Sequence, residues 1–195
     1  MGKQIHLTKI KELFNKSPVV SFGSVERIIG RSTKSSYAKL LISNLIKKKF
    51  IMKIGKGIYT KHNESSLAVF SFKPAYLGLQ SALSYHKVWE QETIPVIITV
   101  RKVRRGIRSL IGGNVLIRNI DRKHFFGFEY IQEGNFYLPY STLEKTLIDM
   151  VVFNQKIDKD ALVDIINRLD RKKLSDYLKK YSINIKKRVL KIIQK

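Results

Sequence analysis

The sequence predicts an α+β protein, on three observations along its 195 residues. Apolar residues recur at helical spacing from Leu7 to Leu45 and are followed by two β-prone runs around a glycine. Four further β-prone runs lie between Val96 and Tyr140. Amphipathic helical patterns fill the chain after Ser141.

In the first third, Leu7, Ile10, Leu13 and Phe14 share one helical face, and Ser17-Pro18 closes that helix. Ser21 or Ser24 then caps a short helix that turns Val25, Ile28 and Ile29 inward, with Gly30 at an exit that needs positive φ. After a few residues Ser32 or Thr33 caps a longer helix whose Ala38, Leu41, Ile42 and Leu45 form its apolar face. Leu40 falls off that face. Phe50–Ile54 and Gly57–Lys61 flank Gly55-Lys56, which suits a tight hairpin turn with glycine at its first central position. Three helices, a short turn between the second and third, and a terminal hairpin together predict a winged helix-turn-helix over residues 1–62. The polar run His62-Asn63-Glu64-Ser65-Ser66 opens a linker over 63–73.

The remainder, residues 74–195, reads as a second α+β domain. Ala75 to His86 looks helical, with Leu79, Ala82 and Leu83 on one side. Val96–Arg101, Val115–Ile120, Phe125–Ile131 and Phe136–Tyr140 predict strands, and the short links between them predict a mainly antiparallel sheet. Ser141-Thr142-Leu143-Glu144 has the pattern of a capping box, opening a helix that runs to Phe153. C-terminal helices follow over about 159–169, 171–181 and 184–194.

Charge narrows the function. The chain carries 38 Lys+Arg against 15 Asp+Glu, a formal net charge of +23. Such an excess repels itself unless a polyanion compensates it, so nucleic acid is the expected partner. Residues 1–62 hold 14 Lys+Arg and two acids, Glu12 and Glu26, which concentrates the excess on the predicted winged helix. A recognition helix presents the residues at its N-terminal end to base edges while other groups hold phosphate. On this reading Thr33, Lys34, Ser35, Ser36, Tyr37 and Lys39 face double-stranded DNA, and Lys53 and Lys56 on the wing touch the adjacent backbone or minor groove. Lys47, Lys48 and Lys49 either join them or complement the dipole at a helix end. In the second domain Arg101, Lys102, Arg104, Arg105 and Arg108 put five cations into eight positions, as a working or nucleic-acid surface, or as a solvated loop or the charged guard of an edge strand. Lys186, Lys187 and Arg188 admit the same two readings.

Other classes find little support. The chain has no cysteine, which removes disulfides, thiolate metal sites and thiol nucleophiles. The first residues lack the form of a signal peptide, and no apolar run is long enough to span a bilayer, so a soluble, cytoplasmic protein without a membrane partner is expected. No nucleophile elbow or Walker loop occurs. Phe22-Gly23-Ser24 resembles the opening of a nucleotidyltransferase motif, but no acidic pair follows to hold metal ions. His86 reads as a packing or capping residue, and Glu144 and Asp149 as capping and helix-surface residues. No enzyme, cofactor or metal is expected.

Several of these residues carry a family pattern. Gly57-Ile58-Tyr59 ends the winged helix, Tyr76 precedes Ser81-Ala82-Leu83 and Tyr85-His86, and Phe125-Phe126-Gly127 makes an aromatic-glycine step. Ser141, Glu144, Lys145, Leu147 and Asp149 then match a helix start at which Leu143 replaces a common proline. In this pattern the chain resembles the AbiEi-type antitoxins of abortive-infection toxin–antitoxin systems. The resemblance implies a repressor that binds inverted repeats ahead of its own operon, two copies on DNA, and a C-terminal domain that counteracts a nucleotidyltransferase-like toxin. The alternative is an RNA-binding or ribonucleoprotein component without promoter specificity, since the same charge attracts any polyanion.

Overall fold

The computed structural model describes residues 2–30, 35–91, 93–110 and 113–194. It is an α+β protein whose chain divides into two compact units, Met1–Ser71 with Ser109–Asn114, and Phe72–Arg108 with Val115–Lys195.

In the first unit, helix α1 (Gly2–Lys16) leads through strand β1 (Val20–Ser21) into α2 (Phe22–Ile29), and α3 spans Ser35–Lys47. Ile10 and Phe14 from α1, Val25 and Ile29 from α2, and Leu41 and Ile42 from α3 meet in one core, as their helical spacing predicts. Ser21 caps α2 by accepting from the Ser24 amide at 3.1 Å, and Gly30 leaves it at φ +96°. Strands β2 (Met52–Gly55) and β3 (Ile58–Thr60) form the hairpin, and β1 joins β3 on its other side, giving the order β1-β3-β2. The turn falls at Lys56-Gly57, one residue later than the sequence suggests, and Gly57 takes the positive φ of +69°. Gly55 belongs to β2 for a different reason. A Cβ there would stand 2.6 Å from the Cβ of Ser71, whose hydroxyl donates to the Ile54 carbonyl at 3.1 Å. Ser71 lies within the 63–73 stretch that the sequence predicts as linker. Instead Ser65–Phe72 is a 3-10 helix, because Leu67, Ala68 and Val69 are apolar enough to be buried.

Most of a six-stranded sheet, in the order β6-β7-β5-β4-β9-β8, lies in the second unit. Its strands are β4 (Ala75–Leu77), β5 (Val96–Thr99), β6 (Gly106–Leu110), β7 (Gly113–Asn119), β8 (Phe128–Glu133) and β9 (Phe136–Ser141). Residues 75–77 are thus a strand, and only α4 (Gln80–Tyr85) of the expected 75–86 helix is helical. The sheet is mixed rather than mainly antiparallel. β4 runs antiparallel to β5 and β8 to β9, but β4–β9 and β5–β7 are parallel. Short links predicted hairpins throughout. They fail between β5 and β7 because β6 intervenes in sequence yet takes the outer position, so β7 returns to lie along β5 in the same direction.

Helices α5 (Leu143–Val152), α6 (Lys159–Arg168), α7 (Arg171–Leu178) and α8 (Ile183–Ile193) complete the unit. Leu147, Ile148 and Val151 of α5 share the core with Tyr76, Ile98, Leu178 and Val189. The cap of α5 is Thr142, which accepts from the Lys145 amide at 3.4 Å, so the capping box on Ser141 gives way to a cap one residue on. Ser141 is held in β9 by its register with Phe128. Among the described residues no helix is long and apolar enough to cross a membrane.

Candidate nucleic-acid interface

α3 is buried on one side only. Ala38, Leu41, Ile42 and Leu45 are buried, and on a helix of 3.6 residues per turn the opposite line is occupied by Ser36, Leu40, Ser43 and Lys47. All four are exposed, and Lys39 and Asn44 are exposed on either flank. Two hydroxyls, an amide and two ammonium groups along one exposed face can donate to phosphate and base edges alike.

Of the residues singled out in sequence, Ser35, Ser36 and Lys39 project from α3, and Lys53 and Lys56 are exposed on β2 and its turn. Thr33 and Lys34 lie outside the described residues. Tyr37 does not join this face. It packs against the core of the first unit, its ring edge-on to His6 at a centroid distance of 6.3 Å, because its place on the helix is beside the apolar line. Sequence reasoning stopped at the N-terminal end of the helix and so missed Ser43 and Asn44. Their spacing from Ser36 and Lys39 was the available signal. Lys47, Lys48 and Lys49 are exposed where α3 ends, and the chain bends straight toward the hairpin with the Phe50 amide donating to the Leu45 carbonyl at 3.0 Å.

The basic run of the second unit is the connection between β5 and β6. Arg101, Lys102, Arg104 and Arg105 are exposed. Arg108 is held back, its guanidinium 5.7 Å from the Phe72 ring centroid and donating to the Arg104 carbonyl at 2.8 Å. Four cations therefore present a surface, and the fifth shapes the loop that carries them.

The other polar constellation was read from sequence as capping and surface residues, and that reading is corrected. Asp149 and Lys145, one turn apart on α5, are fully buried and ion-paired. The Tyr76 hydroxyl donates to the second carboxylate oxygen of Asp149 at 2.7 Å. The Lys145 ammonium also lies 5.4, 5.5 and 5.8 Å from the ring centroids of Tyr76, Phe126 and Tyr181, so an aromatic box replaces part of its lost hydration. Burial pushes Lys145 down and Asp149 up from their usual pKa ranges, and each opposes that shift in the other. Burial likewise raises the Tyr76 phenol, with Asp149 adding to it. This ammonium is sealed from solvent. It ties α5 to β4. The signal for it was the apolar company of Asp149, flanked by Leu147, Ile148, Met150 and Val151, since a helix apolar all round is buried.

Glu144 is also buried, accepting from the Asp170 amide at 3.1 Å, and it anchors the start of α7. His86 stands with Nε2 2.8 Å from the Ser141 carbonyl. A carbonyl only accepts, so Nε2 carries the proton, and burial lowers the ring's pKa.

No family model matches the sequence, and no curated protein does. Among solved structures, the crystal structure of RV2827C protein from Mycobacterium tuberculosis is similar to this chain with a TM-score of 0.60 at 11% identity. The likeness covers 96% of this chain and 74% of that one. It concerns the fold alone.

Proposed function

We propose that the chain is a sequence-specific DNA-binding regulator that uses its first unit as a winged helix, with α3 as the recognition helix and the β2–β3 hairpin as the wing. The observation that carries this reading is the outward line of α3. It offers exposed polar and basic side chains, on a small domain that also exposes Lys53 and Lys56. Exposed donors of this kind gain most from a phosphate backbone, and their net charge draws the chain to it. The resemblance to AbiEi-type antitoxins extends the proposal to repression of its own operon through inverted repeats and to restraint of a nucleotidyltransferase-like toxin by the second unit.

The test is binding to the duplex upstream of its own gene, against a scrambled duplex and a matched RNA, across a salt titration. Preference for the upstream duplex at every salt concentration supports the regulator, because phosphate contacts alone give affinity without preference. Equal affinity for all three overturns it.

One observation favours the second reading, an RNA-binding component. Tyr130 and Tyr137 are 55% and 61% exposed. The pairs Tyr130↔Pro139 and Gln132↔Tyr137 put both on one face of the β8–β9 hairpin. Exposed aromatics on a sheet are what unpaired bases stack upon. Tighter binding to the RNA arm, lost on Tyr130→Ala, would establish that reading.

A further inference from the structure

We propose that Leu40 reads the methyl group of a thymine in the major groove. The inference rests on the DNA-binding reading above and names what one position of that surface recognises.

Leu40 stands in the middle of the exposed line of α3, between Ser36 and Ser43, and is 56% exposed. Every other residue of that line is polar. Leu40 is not among the partly buried hydrophobics that pack against the first unit's core, and more than half of the residue stays exposed. The neighbouring side chains all suit groups that accept hydrogen bonds. Lys39 and Lys47 fit phosphate oxygens or guanine, the hydroxyls of Ser36 and Ser43 fit phosphate or base edges, and Asn44 fits adenine. A branched aliphatic side chain fits none of these. In the major groove the apolar group offered by a base pair is the C5 methyl of thymine, and apolar side chains are its usual contacts. A helix seated by its polar line brings Leu40 to the floor of the groove, where that methyl lies. Ile46, the other large apolar residue exposed on α3, is 37% exposed and stands on the Lys39 flank of the helix, off this line.

The experiment begins with duplexes selected from a random-sequence pool by the full chain. The tightest is resynthesised with deoxyuridine at each thymine in turn, which removes the methyl and leaves base pairing intact. Affinity is measured for the wild type, Leu40→Ala, Leu40→Met and Lys39→Ala. For the wild type, one substituted position weakens binding by about fourfold, the factor that burial of one methyl group commands. Leu40→Ala binds the thymine and uracil forms equally, and Leu40→Met keeps the discrimination. Lys39→Ala weakens both forms by a common factor. Discrimination by Leu40→Ala equal to the wild type's overturns the inference, and so does a wild type indifferent to every substitution. Failure of the pool to yield any preferred duplex instead overturns the DNA-binding reading, and this inference falls with it.

Discussion

Tyr76 and Asp149 stand 73 positions apart in the chain, yet the phenol donates to the carboxylate at 2.7 Å. The same carboxylate pairs with Lys145 one turn away, both side chains fully buried. Removing one partner of such a pair leaves the other charge without compensation. Asp149→Ala should therefore cost about 3–5 kcal/mol of stability, and Lys145→Met with Asp149→Leu together much less than that. Urea unfolding of the three proteins checks it. A double variant as unstable as Asp149→Ala would show that the pair itself, rather than the stranded charge, matters.

Tyr76→Phe keeps the ring stacked on Phe128, at 5.2 Å between centroids, and deletes only the hydroxyl. A hydrogen bond to a charged group contributes about 1.5–3 kcal/mol, and the unfolding midpoint should fall accordingly. No shift at all would mean that the Asp149 oxygen finds another donor.

Gly55 offers a test of close approach. Gly55→Ala drives a methyl to 2.6 Å from the Ser71 side chain and should destabilise the first unit by about 1–3 kcal/mol, the usual cost of overpacking. Adding Ser71→Gly removes the obstructing atoms and should recover part of the loss in thermal unfolding. An uncompensated double variant would place the strain elsewhere in the β2–β3 turn.

Acid should loosen the fold. Burial lowers the pKa of His62, His86 and His124. The unfolded chain therefore takes up protons at these rings first, and stability contributed by their neutral forms is lost as pH falls below about 6.5. Urea midpoints at pH 7.5 and 5.5 should differ in that direction, and His86→Gln, which retains a donor for the Ser141 carbonyl, should reduce the difference. A midpoint that rises on acidification would instead put the raised carboxyl of Asp149 in control.

On DNA, Lys39, Lys53 and Lys56 should each behave as phosphate contacts. Alanine at any one of them lowers affinity for all duplexes alike and reduces the slope of log K against log salt by about one. A variant with an unchanged slope marks a lysine that only faces solvent.

The helices of the first unit were legible because each buries one face, and spacing such as Ala38, Leu41, Ile42 and Leu45 reports that directly. The hairpin was legible to within a residue, since two glycines compete for one turn and only a neighbour distant in sequence, Ser71, decides which of them sits in the strand. β4 was not legible. Its three residues are all buried, so they show no alternation, and they run into a helix whose pattern extends back over them. β6 alternates in burial, but the arginines before it and at its centre read as a charged loop. On α3, the exposure of Lys39 followed from charge, and Leu40 falls off the apolar face in the structure as it does in the sequence. The Lys145–Asp149 pair carried the spacing of an exposed ion pair, and only its apolar company marked it as interior.

Strand β4 lies between β5 and β9 in the sheet, and Leu77 pairs with Tyr140 across it. A chain leaving the ribosome N-terminus first can lay β5 against β4 early, but the other flank of β4 stays bare until β9 has emerged. For that interval an apolar strand with unmet amides is open to any extended chain nearby, the circumstance in which nascent proteins misassociate. Fragments ending before Phe136 lack β9 and should share this exposure permanently, so the second unit is expected to fold only once synthesis has passed β9.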